Sequence, residues 1–209
     1  MKTVCVRREG LVEYEAALAL QHELVAERQR GEGEDTLLLL EHPDVFTLGR
    51  RRTAADNVLL AGSTPVVQVE RGGDVTWHGP GQLVGYPILL LAEEERDIHG
   101  VLRRLEDAMI AVLARCDLEG GRREGYTGVW CQGRKLVSLG IAVRDWVTFH
   151  GFALNVNCDL GGFARINPCG LSSEVMGTIE ELAGGVPSPE VLMDWAAEEV
   201  GRAFGRSLV

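Results

Sequence analysis

The chain has 209 residues, 45% of them hydrophobic and 25% charged, with a formal net charge of -10. That length supports one sizeable core, whereas two domains would each be small. The acidic balance disfavours nucleic acid, which needs a basic face, and no window approaches the roughly 18 apolar residues of a membrane span.

Residues 3–8 alternate like a strand, and residues 12–29 place Tyr14, Ala17, Leu18, Leu24, Val25 and Arg28 at helical spacing, stopped by Gly31-Glu32-Gly33. The continuous apolar run at 36–40 reads as a buried strand, with 45–48, 66–70 and 82–91 as further strands. Asp97 is the expected N-cap of a helix whose stripe is Ile98, Val101, Leu102, Leu105, Met109, Val112, Leu113 and Cys116. Strands are expected at 127–131, 136–143 and 147–157, the first two split by a Gln132-Gly133 turn. The closing helix takes Ser188 as N-cap and Pro189 at its first position, and runs to about Phe204. This order predicts a single α/β (α+β) domain over residues 1–209, with a mixed, largely antiparallel sheet and packed helices, rather than a doubly wound fold.

Charge at Lys2, Arg7 and Arg8 arrives before a signal-peptide core can form. The five cysteines (5, 116, 131, 158 and 169) are odd in number and contain no C-x-x-C pair, which disfavours a disulfide scaffold and a structural zinc site. A reducing cytoplasm is the expected compartment, where a free thiol can act as a nucleophile.

Lys2 and Lys135 are the only lysines; the rest of the 21 basic residues are arginine. A desolvated ammonium can release a proton near neutrality and a guanidinium cannot, so Lys135 is a candidate proton carrier. Cys169, in Asn167-Pro168-Cys169-Gly170, sits in a loop rather than an apolar run, unlike the other four cysteines. A neighbouring ammonium lowers a thiol pKa from about 8.5, and Lys135 would supply that charge. The densest signal is Arg71-Gly72-Gly73-Asp74-Val75-Thr76-Trp77-His78-Gly79-Pro80-Gly81-Gln82, read as a glycine-rich binding loop between strands. It matches neither the Walker nor the dinucleotide-binding pattern. Its Trp77 and His78 suit a pocket apolar in body and polar at one end.

These blocks resemble the octanoyltransferases of lipoate synthesis, the lipoate-protein ligase B family. The likeness runs through residues 71–87, Gly128-Val129-Trp130, Lys135 with Ser138-Leu139-Gly140, residues 150–156, and residues 166–171, in the family's order and over roughly half the chain. Trp77 stands where the family commonly has Tyr, a change bearing on pocket shape. The resemblance implies a fold similar to the catalytic domain of biotin and lipoate ligases. It implies Cys169 as acyl-thioester nucleophile and Lys135 as the residue lowering its pKa. Acyl-substrate binding would fall to Arg71, Gly72, Gly73, Asp74, Val75, Thr76, Trp77 and His78, to Ser138, Leu139 and Gly140, and to Gly151, Phe152 and Ala153. It further implies a cytoplasmic monomer without metal or cofactor. Its donor would be octanoyl-acyl carrier protein, and its acceptors the lipoyl domains of 2-oxoacid dehydrogenase E2 subunits and the glycine cleavage H protein.

Arg50, Arg51 and Arg52, Arg122 and Arg123, and Arg134 are read as a docking patch for the acidic carrier. The alternatives are an ATP-dependent lipoate or biotin ligase, a non-enzymatic scaffold for lipoyl domains, and a cysteine hydrolase using His78 or His150 as partner of Cys169.

Overall fold

The computed structural model describes residues 2–167 and 175–209. In chain order the elements are β1 (Lys2–Leu11), α1 (Tyr14–Gln29), β2 (Thr36–Glu41), β3 (Val45–Leu48), β4 (Val66–Gln68), β5 (Val75–His78) and β6 (Gln82–Ile88). They continue with α2 (Ile98–Ala114), β7 (Gly121–Arg123), β8 (Tyr126–Cys131), β9 (Arg134–Arg144), β10 (Val147–Asn155), α3 (Ile179–Ala183), α4 (Pro189–Phe204) and β11 (Arg206–Leu208). The main sheet runs β11-β1-β2-β6-β10-β9-β8-β7, and a small sheet runs β4-β3-β5. In the main sheet β1 pairs in parallel with β11 and β2, and the remaining neighbours pair antiparallel. This is the mixed, largely antiparallel α/β fold expected from the sequence.

The continuous apolar run of β2 follows from burial on both faces. Leu37 and Leu39 pack with α2 and α4, whereas Leu38 and Leu40 pack with Ala17, Leu24 and Val25 of α1. The helix boundaries follow local chemistry. Asp97 Oδ1 accepts from the His99 N–H at 3.0 Å, and Ser188 Oγ accepts from the Val191 N–H at 3.4 Å. The Gln132-Gly133 hairpin turn has φ +49 and +78, both left-handed as a two-residue type I′ turn requires.

Three expectations are corrected. The glycine-rich loop contains a strand, β5, which pairs antiparallel with β3 in the register Phe46↔Trp77 and Thr47↔Thr76. Val-Thr-Trp has strand propensity, but its partner is distant in sequence and the flanking glycines hide the pattern. The basic pair Arg122-Arg123, whose flanks read as loop-like in the sequence, lies on edge strand β7. Ile98, expected in the α2 core stripe, is 48% exposed; with Leu102, one turn later, it faces a cavity instead.

Candidate active site

A cavity of about 400 Å³ opens where the glycine-rich segment lies across β9 and β10. Antiparallel register assembles its wall. Gly151 pairs with Gly140, Phe152 with Leu139 and Ala153 with Ser138, so two triplets distant in sequence become one continuous surface. The glycine segment is held against it by the Gly72 N–H, which donates to the Ile141 carbonyl at 3.0 Å. A Cβ on Gly140 would stand 3.1 Å from Gly72 O and from Arg71 Cδ, closer than ordinary van der Waals contact.

Arg71 anchors the segment. Its guanidinium donates to Thr47 O and Thr47 Oγ1, both at 2.8 Å, to Asp74 O at 2.8 Å and to Gly72 O at 3.2 Å. The buried Asp74 carboxylate accepts from Asn57 Nδ2 at 2.9 Å, from the Val75 N–H at 2.8 Å and from Arg51 at 3.1 Å. Burial alone would raise its pKa, but these donors outweigh burial and hold it low. Both side chains shape the loop while lining the cavity.

Among the residues expected to bind substrate, 71–76, His78, 138–140 and 151–153 all line the cavity, and so does Lys135. Trp77 does not line it. Its indole is buried in the small-sheet core, edge-on to Phe163 with ring centroids 5.2 Å apart. Strand alternation turns Trp77 away from its neighbours Thr76 and His78, so Trp at this position bears on packing rather than pocket shape.

Lys135 sits at the start of β9, bridged in parallel to Met176. Its Nζ lies 6.0 Å from the centroid of the Trp130 ring, at the limit of a cation–π contact. Gly128 backs the side chain: with φ +136, a Cβ there would stand 2.6 Å from Lys135 Cε and 2.5 Å from Val137 O. The Gly128 N–H donates to Glu106 Oε1 at 3.0 Å. Glu106, buried on α2, also accepts from Arg103 at 2.8 Å and Arg122 at 2.7 Å. Sequence reading missed Glu106 because it sits beside an apolar stripe without a motif of its own.

Cys169 lies outside the described residues. Cys116, Cys131 and Cys158 are buried, and burial raises all three thiols, Cys158 to about 12. They act as small hydrophobes, as expected.

Three of the five histidines gather around two tyrosines. His42, His78 and His150 surround Tyr14 and Tyr86. Burial takes His42 down to about 4 against its bond to the Val12 carbonyl. Burial, reinforced by Arg71 and opposed by Glu70, takes His150 to about 4. His78 is lowered well below the imidazole range by burial, His42 and Arg71. All three are neutral at pH 7. For His42 and His150 the unfolded chain would bind a proton near pH 6.5 and the folded chain only near pH 4, and His78 is shifted in the same direction, so stability is fully present above the upper value. It is lost as pH falls through that window, by about 1.4 kcal/mol per unit for each such group. Urea midpoints are therefore expected to hold from pH 7.5 to about 6.5 and then to fall steadily down to pH 4.5, and a profile flat below 6.5 would remove the buried neutral histidines.

The basic clusters are partly committed within the molecule. Arg51 pairs with Asp74, and Arg122 with Glu106 and Asp107. Arg123 stacks over Tyr126 and Trp130, and Arg134 donates to Met176 O at 3.2 Å. Arg50 and Arg52 are exposed.

The family described as the lipoyl protein ligase A/B catalytic domain matches residues 13–205. The octanoyltransferase of Syntrophotalea carbinolica is 50% identical over 175 residues, covering 84% of this chain and 82% of that protein. The octanoyltransferase of Gloeobacter violaceus is 49% identical over 197 residues, covering 94% and 88%. Among solved structures, lipoate-protein ligase A bound with ATP has a TM-score of 0.77 at 12% identity, covering 100% of this chain and 88% of that one. The biotin protein ligase of Aquifex aeolicus has a TM-score of 0.57 at 12% identity, covering 98% and 70%. Those two share the fold. The chain belongs to the lipoyl protein ligase A/B catalytic-domain family, among its octanoyltransferases, and is an acyltransferase.

Proposed function

We propose that the chain takes an octanoyl group from octanoyl-acyl carrier protein onto Cys169 as a thioester and passes it to a lysine of a lipoyl domain. The observation that supports this reading is one cavity with Lys135 in its wall and a mainly apolar lining that includes residues 72–76, 138–141 and 151–153. Relatives named octanoyltransferase at about half identity support the acyl group.

In the first step the Cys169 thiolate attacks the donor carbonyl. The S–acyl bond to the carrier breaks, and the departing thiolate takes a proton from the Lys135 ammonium. In the second, the acceptor amine attacks the Cys169 thioester while Lys135 removes its proton. The amide forms and the Cys169 sulfur leaves as thiolate. The donor is already activated, so no nucleotide is consumed. Lipoyl domains of 2-oxoacid dehydrogenase E2 subunits and of the glycine cleavage H protein are the acceptor class this chemistry fits.

Intact-protein mass after exposure to octanoyl-acyl carrier protein is expected to rise by one octanoyl group. Cys169→Ala is expected to abolish both that adduct and transfer. An adduct on the alanine variant, or transfer with octanoate and ATP in place of the thioester, would overturn the covalent route.

The acidic donor should be steered by exposed arginines. With Arg51 and Arg122 neutralised by their own carboxylates, Arg50 and Arg52 carry the larger share. Steering is screened beyond a Debye length of about 8 Å at physiological salt, so kcat/KM is expected to fall as salt rises, and Arg52→Glu to lower it at low salt. A rate flat in salt removes the patch.

A further inference from the structure

We propose that Tyr14, Tyr86 and His150 form a hydrogen-bonding floor that lets the cavity read the distal end of the acyl chain by polarity as well as by length. This rests on the acyl-transfer reading above. All three side chains line the same cavity as Lys135. They lie at its other end: His150 pairs with Ile141 on β9, six residues beyond Lys135, which is about 20 Å of strand at roughly 3.3 Å per residue. Between the ends the wall is largely apolar, with Val75, Leu139, Ile141 and Phe152.

His150 is the exceptional residue. It has φ +54 in the middle of β10, a left-handed conformation that a strand does not ordinarily contain. Strict alternation would send it to the face opposite Phe149. Instead its ring meets Phe149, with centroids 4.9 Å apart, and Tyr86, at 6.4 Å, both on the α1 side of the sheet. Gln21, buried on α1, holds the kink by accepting the His150 N–H at 2.8 Å. The imidazole is 1% exposed, yet neither ring nitrogen makes a hydrogen bond among the described residues. Glu70 Oε2 lies 3.5 Å from Nε2, a charge contact that is long for a hydrogen bond. A buried ring held in a strained conformation, with Nδ1 unbonded and Nε2 facing only a long contact to Glu70 among the described residues, is costly, and a polar group entering the cavity would relieve that cost.

The tyrosines add to the floor. His42 Nδ1 lies 2.7 Å from the Val12 carbonyl, which can only accept, so Nδ1 carries the proton of the neutral ring and Nε2 is bare. The Tyr86 hydroxyl, 2.7 Å from that Nε2, therefore donates to it and accepts from the Tyr14 hydroxyl, which leaves the lone pairs of the Tyr14 oxygen to receive a further donor. An alkyl terminus pressed against this floor leaves the His150 nitrogens without a hydrogen bond, whereas a terminal hydroxyl can bond to His150 or donate to the Tyr14 oxygen.

The test compares two donors of equal heavy-atom count on acyl carrier protein, nonanoyl and 8-hydroxyoctanoyl, alongside octanoyl, with a lipoyl domain as acceptor. A floor that acts by shape alone treats the first two alike. The polar floor predicts kcat/KM about tenfold higher for 8-hydroxyoctanoyl than for nonanoyl, and collapse of that ratio toward one in the Tyr14→Phe/Tyr86→Phe double variant, which removes two hydroxyls without changing ring shape. Equal rates in the wild-type protein, a preference for nonanoyl, or a ratio untouched by the double variant would overturn the floor while octanoyl transfer stands. Failure to transfer octanoyl at all would instead overturn the reading on which the floor rests.

Discussion

Lys135→Arg is expected to be nearly as inactive as Lys135→Ala, with kcat/KM down by about 10²–10⁴-fold in both. A positive charge alone would survive the arginine substitution, but a guanidinium cannot release a proton near neutrality. The geometry adds a second reason: Lys135 Cε lies where only glycine fits at 128, so a broad planar head has less room than a slim ammonium. The two reasons are separable. If proton transfer is the role, small exogenous amines should partly restore the alanine variant, and the Cys169 pKa, read from the pH profile of thiol alkylation, should rise in the alanine variant and stay low in the arginine one. An active arginine variant, or no response to amines, would leave Lys135 as a plain electrostatic neighbour.

Gly128→Ala is the second large effect expected. The added methyl would stand 2.5 Å from the Val137 carbonyl oxygen and 2.6 Å from Lys135 Cε, and φ +136 disfavours any residue with a Cβ. Backbone strain costs about 1–3 kcal/mol, and overpacking costs a similar amount. Displacing a catalytic group by about 1 Å can lower the rate by 10²-fold. We therefore expect a lower thermal midpoint together with at least that loss in kcat, measured below the variant's own midpoint. A variant that is destabilised but fully active would show that Gly128 serves packing alone and does not position Lys135.

Much of this was legible in the linear chain because it depends on near neighbours. The caps at Asp97 and Ser188 and the turn at Gln132-Gly133 follow from local backbone chemistry. The run of leucines in β2 declares burial on both faces whatever its partners are. Lys135 and Cys169 are marked by residue type and immediate setting, and the glycine-rich segment by composition. β5 was hidden because its pairing partner β3 lies across a long insertion, and a short strand between glycines shows too little alternation to stand out.

What the sequence by itself determined, then, is most of the element inventory, the fold class and the segments that line the cavity. Only the tertiary structure decided which way those residues face. Register between β9 and β10 brings 138–140 against 151–153, and pairing of β5 with β3 turns Trp77 into the small core while His78 faces the cavity. Register sets His150 six residues along β9 from Lys135 and its left-handed φ turns the ring to the α1 face, while Glu106 reaches the Lys135 neighbourhood by accepting from the Gly128 N–H. Side-chain direction in a strand reverses with each residue and with each irregularity of φ. It is therefore settled by long-range pairing, which no local window of sequence contains.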